Sequence, residues 1–509
     1  MPTTPDSLPL SRPLDSAALR RAATPLTVAV DARSRSRLDR GRRFFHGLRH
    51  DDSGAARPIY GATTGFGALV GYAGRPDEAD QCDNTLAHLG AGQGPDLPPE
   101  ICRAALLLRT WSLAQGLSGV SAEVVDRLAA MFATTFCPAV PRYGSVGASG
   151  DLIPLAYATQ ALRGRGHAYL DGHRMPADRA LAAAGLRPLA LDGRDALALV
   201  NGTSVTTAAL ALARDAVRTA HRSLTTLTCL LADLLGCDSG FLDDDLLRAY
   251  GHPGAAMTGA RMRETLDGLR PSGTRPLQEP YSIRCAPQLL GAAEDALGYV
   301  DGVVTADLAG VSDNPLFFPG DGDGDGDGDG DYGDGGPGDG DGGRAGKVVH
   351  GGNFFGQPAA FAADLLASVT AQLGNLAERQ LDLLTDPARN GGLPPMLATA
   401  PGLQHGLQGV QLAATAFVAE IRRNATPAGM QSLPTNLHNQ DVVPFGTQAA
   451  LRSYDMAELL GLLTGSLALG LRQAAHVGAR RPTAARCAEL LDTLAAAIPP
   501  VDPDRPLDA

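Results

Sequence analysis

Gly144-Ser-Val-Gly-Ala-Ser-Gly-Asp151, running into Leu152-Ile-Pro-Leu-Ala156, is the stretch on which the fold and chemistry of this chain turn. Its crowding of glycines ahead of an apolar run reads first as a turn that launches a helix. A serine-hydrolase elbow would need G-x-S-x-G, but the fifth position after Gly147-Ala148-Ser149-Gly150 is Asp151. A dinucleotide fingerprint fails as well. Gly65-x-Gly67 is followed by Gly71 one place too late, and Gly90-x-Gly92-x-Gly94 is spaced too tightly. A third chemistry is open to these residues. A glycine nitrogen, with no side chain to block close approach, can attack a nearby backbone carbonyl, and a serine can then lose its hydroxyl as water. The product is an electrophile made from the chain itself.

Outward from this stretch, the composition bounds the answer. The 509 residues are 44% hydrophobic and 19% charged, as in an ordinary globular protein with a sizeable core. The net charge of −12 argues against nucleic acid or an anionic membrane surface as the main partner. Most of it has one address: Gly320–Gly343 holds 13 Gly and 9 Asp, and the rest of the chain carries only −3. Asp321-x-Asp323-x-Asp325-Gly326 imitates the start of a calcium loop, but position twelve is Tyr332, where a bidentate Glu is needed. The tract is expected to be a solvated, self-repelling insertion. Cys82, Cys102, Cys137, Cys229, Cys237, Cys285 and Cys487 form no CxxC pair, so no metal site and no disulfide framework is expected, and a reducing cytoplasm fits best. The opening MPTTPDSLPLSRPLDS lacks the basic start and apolar run of a signal peptide. Leu459–Leu471, the longest apolar run at 13 residues, is too short to span a bilayer and reads as a buried helix.

Long helices dominate the pattern. Thr206–Leu235 runs without Pro or Gly, and Phe361, Leu365, Val369, Leu373 and Leu376 recur at spacings of three and four. Segments of this length predict a mainly α protein built as a bundle of long helices. Residues 1–24 read as a flexible arm, and Lys347–His350 as at most part of a hairpin.

Further loop-like motifs crowd Gly, Tyr, Asn, Arg and Gln beside these helices. They are Tyr60-Gly-Ala-Thr-Thr-Gly-Phe-Gly67, Asn201-Gly-Thr203, Gln278-Glu-Pro-Tyr-Ser-Ile-Arg284, Asp313-Asn-Pro315, His350-Gly-Gly-Asn-Phe354 and Asn436-Leu-His-Asn-Gln-Asp441. Taken in order with Gly144–Asp151, they resemble the aromatic amino acid ammonia-lyase family, over roughly residues 25–475. The resemblance implies that Ala148-Ser149-Gly150 cyclises to 4-methylidene-imidazol-5-one, with no metal involved. It implies Tyr60 as the base that removes the β-proton. A tyrosine with a reference pKa of about 10 needs a positive environment for this, such as converging helix N-termini. Arg284 would grip the substrate carboxylate through its planar fork. Asn201, Gln278, Tyr281, Asn439 and Gln440 would complete the polar shell, with Phe354 beside the cofactor. The implied architecture is a smaller loop-rich cofactor-forming domain at 25–205, a helical bundle at 206–475 and a tail at 476–509. The family also implies a homotetramer whose active sites draw residues from several subunits.

For the substrate, the ring-binding segment is Leu86-Ala-His-Leu-Gly90. In the family a His-Leu pair here goes with tyrosine, so His88 and Leu89 imply elimination of ammonia from L-tyrosine to give trans-p-coumarate. An imidazole can pair with a phenol hydroxyl that an apolar pocket would leave unsatisfied, at a cost of about 1–3 kcal/mol. Gln440 stands where histidine-selective members tend to carry Glu. Phe355 stands where His is frequent, and its extra ring is expected to tighten the pocket or favour a different aromatic acid. Histidine ammonia-lyase (giving urocanate), phenylalanine ammonia-lyase and tyrosine 2,3-aminomutase activities remain the alternatives. Lyase and mutase are separated by loop mobility more than by any single residue.

Overall fold

Both long helices expected from periodicity are present. Thr206–Leu235 falls within the helix Ser204–Leu235, and Phe361–Leu384 within Gln357–Thr385. Ala286–Ala309 and Gly446–Val477 are of similar length. The computed structural model describes residues 7–49, 59–320 and 345–507. The Gly-Asp tract beyond Gly320, with its calcium-loop pattern, lies outside the described residues. The fold is mainly helical, as expected, and its strands are two to four residues long.

Contacts divide the chain into two units. The first is Met1–Leu212, Val303–Phe361 and Ala428–Ala450, and the second is Ala213–Gly302, Ala362–Pro427 and Leu451–Ala509. The expected boundaries near residues 205 and 475 are not those found. Every internal boundary but the one at Pro427 falls inside a long helix, where no loop, Pro or Gly cluster signals a change of unit.

In the first unit the arm is folded from Ser7 onward. Leu8–Pro9 pairs in parallel with Val28–Ala29, and Asp15 caps the helix Ser16–Arg21 by accepting from the Ala18 N–H at 2.7 Å. Leu10, Leu14, Leu19 and Ala22 are buried. The helix Pro99–Ala114 anchors the arm: Trp111 Nε1 donates to the Arg12 carbonyl at 2.6 Å and Arg103 Nε to that of Ala22 at 2.5 Å. These partners sit some eighty to a hundred residues away, so local composition hides them. Lys347–Val349 forms a hairpin with Leu316–Phe318, register Leu316 to Val349. Phe317 from this hairpin meets Phe45 edge-on at 5.4 Å.

In the second unit Leu460, Leu463, Leu467 and Leu471 are fully buried along one face of Gly446–Val477. Leu462 is 52% exposed, so the apolar run is a helix with one buried face and not a wholly buried one. The stripe on Gln357–Thr385 is likewise narrower than predicted: Val369, Leu373 and Leu376 are buried, whereas Phe361 is 59% exposed. The tail also folds, as the helix Ala485–Ala497. Buried Asp233 accepts from the N–H groups of Thr483 and Ala484 just ahead of it. Leu459–Leu471 is not the longest apolar segment: the helical stretch Asp195–Leu235 is long and apolar enough to cross a membrane by length and composition, but 89% of its apolar window is buried within the protein.

Candidate active site

The loop Gly144–Asp151 leaves the strand Pro141–Tyr143 and enters the helix Leu152–Leu162. Within it Gly147 and Gly150 take positive φ, 69° and 70°, and Ala148 and Gly150 form a bridge that doubles the tripeptide back on itself. A Cβ on residue 150 would lie 2.5 Å from the Gly202 carbonyl oxygen, so only glycine fits. The next N–H, that of Asp151, donates to the same oxygen at 2.7 Å. The bend, with no side chain at Gly150, suits attack by the Gly150 nitrogen on the Ala148 carbonyl.

Beneath it, a fully buried carboxylate gathers distant chain segments. Asp151 Oδ1 accepts from Ser145 Oγ at 2.9 Å, Thr206 Oγ1 at 2.8 Å and Thr447 Oγ1 at 2.7 Å, and Oδ2 accepts from the Thr206 N–H at 2.8 Å. Burial pushes the Asp151 pKa up, and these hydrogen bonds pull against it.

A second buried cluster shapes the polar wall. Arg194 grips Asp313 through two parallel bonds of 3.0 and 3.2 Å, and Arg109 lies 3.6 Å from the same carboxylate, all three side chains being inaccessible. Burial raises the pKa of Asp313 and lowers those of both arginines, Arg109 to about 10, while the charge of Asp313 opposes the fall. The neighbouring Asn314 accepts Asn201 Nδ2 on its carbonyl at 2.9 Å and the Gly351 N–H on its side chain at 2.8 Å. Asn201 Oδ1 is buried without a partner, an acceptor left for whatever occupies the cavity that Asn201 lines.

Tyr60, Phe66, Thr85, His88, Leu89, Ser149, Leu152, Leu197, Val200, Asn201, Asn314 and Phe354 line one cavity. Tyr60, Phe66, His88, Ser149 and Leu152 also border a wider cleft of about 850 Å³. Gln440 Nε2 donates to Ser149 Oγ at 2.6 Å. It is carried by a turn in which Asn436, Leu437 and His438 are all left-handed (φ 55°, 54° and 61°), a conformation that costs non-glycine residues energy and clusters at functional sites.

Ser149 of the tripeptide, Tyr60, His88, Leu89, Asn201, Phe354 and Gln440 are therefore brought together. Four residues are not. Asn439 is exposed and lines neither the cavity nor the cleft; Asn436, three residues earlier, lines the cleft instead. Gln278, Tyr281 and Arg284 belong to the second unit, with Tyr281 71% exposed and Arg284 lying over its ring at 4.5 Å. Phe355 lines neither the cavity nor the cleft. Tyr60 differs in its electrostatics. Its hydroxyl accepts from the Gly67 N–H at 2.9 Å, which with the charge of Arg194 favours phenolate. Burial outweighs both and raises the pKa, in place of the depression expected from helix ends. The structure adds Phe66 and Asn314, both inside motifs already visible in the sequence, and the Ser145, Asp151, Thr206 and Thr447 cluster, for which no local signal exists.

The sequence matches the family described as aromatic amino acid lyase over residues 14–496. The tyrosine ammonia-lyase of Cereibacter sphaeroides is 38% identical over 485 residues, covering 89% of this chain and 86% of that protein. The histidine ammonia-lyase of Sorangium cellulosum is 37% identical, covering 98% and 94%. Among solved structures, the tyrosine aminomutase of Streptomyces globisporus superposes with a TM-score of 0.86 at 30% identity, covering 98% of this chain and 94% of that one.

Replacing Asp313 by Asn would strand two buried guanidiniums without a counter-charge. A loss of about 3–5 kcal/mol is expected, visible as a large fall in melting temperature, and an unchanged melting curve would contradict the anchoring role given to this cluster.

Proposed function

Because this chain belongs to the aromatic amino acid lyase family, we propose that it removes ammonia from L-tyrosine without oxidation, giving trans-p-coumarate. The observation that carries the choice of substrate is the ring end of the cavity, where His88 offers a polar partner among Phe66, Leu89, Leu197 and Val200. Overall identity does not discriminate, since the tyrosine and histidine relatives stand at 38% and 37%. Gln440, an uncharged amide where an imidazole substrate would gain from a carboxylate, favours tyrosine. Histidine is the second reading, supported by the Sorangium cellulosum relative, which covers 98% of this chain. An aminomutase outcome is supported by the structural likeness to a tyrosine aminomutase.

In this reading the Gly150 nitrogen bonds to the Ala148 carbonyl carbon with loss of one water, and Ser149 loses its hydroxyl as a second. The resulting 4-methylidene-imidazol-5-one supplies an electrophile that turns the substrate's amino nitrogen into a better leaving group. The chain's own residues do the rest. Gly202 and Asp151 hold the bent tripeptide, Gln440 presents its amide to Ser149, Asn201 leaves an acceptor facing the cavity, and Tyr60 takes the β-proton. Arg284 remains the candidate for the substrate carboxylate, in a homotetramer whose sites combine copies of the chain. Exposed apolar side chains at Leu277, Tyr281, Leu403, Leu412, Met430 and Leu437 support such an assembly. The free cysteines support a cytoplasmic setting.

Incubation with L-tyrosine, L-phenylalanine and L-histidine separately, with products identified by mass, tests the substrate. Coumarate without β-tyrosine is expected; urocanate as the main product would overturn the reading. Ser149→Ala is expected to lose the cofactor's ultraviolet absorbance and the activity together, and an active Ser149→Ala protein would refute the chemistry. Since the raised pKa of Tyr60 keeps it protonated at neutrality, kcat should still be climbing at pH 9. A plateau reached by pH 7 would remove Tyr60 as the base.

A further inference from the structure

His88 ends the helix Glu78–His88, and its Nδ1 lies 3.1 Å from the carbonyl oxygen of Asn84, one turn back. A carbonyl oxygen has no proton to give, so this bond places the hydrogen on Nδ1. A neutral ring then presents Nε2 as a bare acceptor. Phe66 stacks on the imidazole, with 5.8 Å between ring centroids and 23° between planes. Phe66 in turn meets the Tyr60 ring edge-on, at 6.1 Å and 84°. The arrangement needs a glycine next to Tyr60: a Cβ on residue 61 would lie 2.5 Å from the Phe66 ring. Phe66 thus stands between the ring proposed to take the proton and the ring proposed to choose the substrate.

We propose that Phe66 is a positioning residue for substrate choice, holding His88 so that Nε2 accepts a hydrogen bond from a donor at the para position of the substrate ring. The inference rests on the tyrosine reading and deepens it: selection is for a donor, not for polarity in general. A para hydroxyl or aromatic amine satisfies Nε2. A para hydrogen or fluorine leaves it unpaired. Because Phe66 and Tyr60 share one short loop, the same stack links ring recognition to placement of the base.

The test is calorimetric titration of the full-length protein with p-coumarate, p-aminocinnamate and p-fluorocinnamate, repeated for Phe66→Leu, Phe66→Met and Phe66→Tyr. The two donor ligands are expected to bind the parent about tenfold more tightly than the fluoro ligand. Phe66→Leu and Phe66→Met should shrink that preference to about twofold, while Phe66→Tyr, which keeps a stacking ring, retains it. If one aliphatic variant fails to fold, the other carries the comparison. Equal binding of the fluoro and hydroxy ligands by the parent, no binding of any of the three, or equal weakening of all three in the aliphatic variants would overturn the proposal. An enzyme that turns over L-histidine best while keeping the donor preference would sink the tyrosine reading and leave the positioning role standing.

Discussion

Asp313 sits out of water between two arginines that are equally out of water, and the walls of the cavity depend on that contact. Removing three charges from solvent costs several kcal/mol each, and only close geometry with full hydrogen bonding offsets it. Here most of the offset is visible, with Arg194 Nε left buried and without a partner. Arg194 makes the paired contact and also donates to the carbonyls of Ser118 and Pro315, while Arg109 donates to those of Ser312 and Ala198. The arginines therefore fix the backbone on both sides of Asn314 and at the helix Asp195–Val200, which delivers Asn201. Arg194 also lies 5.2 Å from the Phe317 ring, tying the hairpin to the same point.

The cluster carries one more positive charge than negative, and this excess has a second use. Arg194 pulls the pKa of Tyr60 downward against burial. A structural anchor and an electrostatic bias on the proposed base are thus supplied by one side chain. Because burial wins, full activation of Tyr60 calls for alkaline pH.

The tripeptide is constrained from the other direction. Gly150 presses on the Gly202 backbone so closely that no side chain fits, and Asp151 pins the loop to Thr206 and Thr447. A loop otherwise free to sample many conformations is held bent before any chemistry begins. Gln440, on its left-handed turn, approaches Ser149 from a third segment.

Much of this was legible in the chain because it is local. Helical periodicity at Thr206–Leu235, glycines at 147 and 150, the Tyr60 and Asn201 motifs and the His88-Leu89 pair each lie within a few residues, so the sequence by itself determined the helical class, the family and the residues at both ends of the cavity. What it left open depends on which faces meet. The buried stripe of Gln357–Thr385 excludes Phe361, the arm of residues 7–24 is tied down by Arg103 and Trp111, and Asp151 draws hydroxyls from positions some three hundred residues apart. Gln278, Tyr281 and Arg284 share a motif yet belong to a different unit from Tyr60. The protonation of Tyr60 was likewise decided only by tertiary structure, because burial and the field of Arg194 are properties of packed surroundings that no spacing along the chain records.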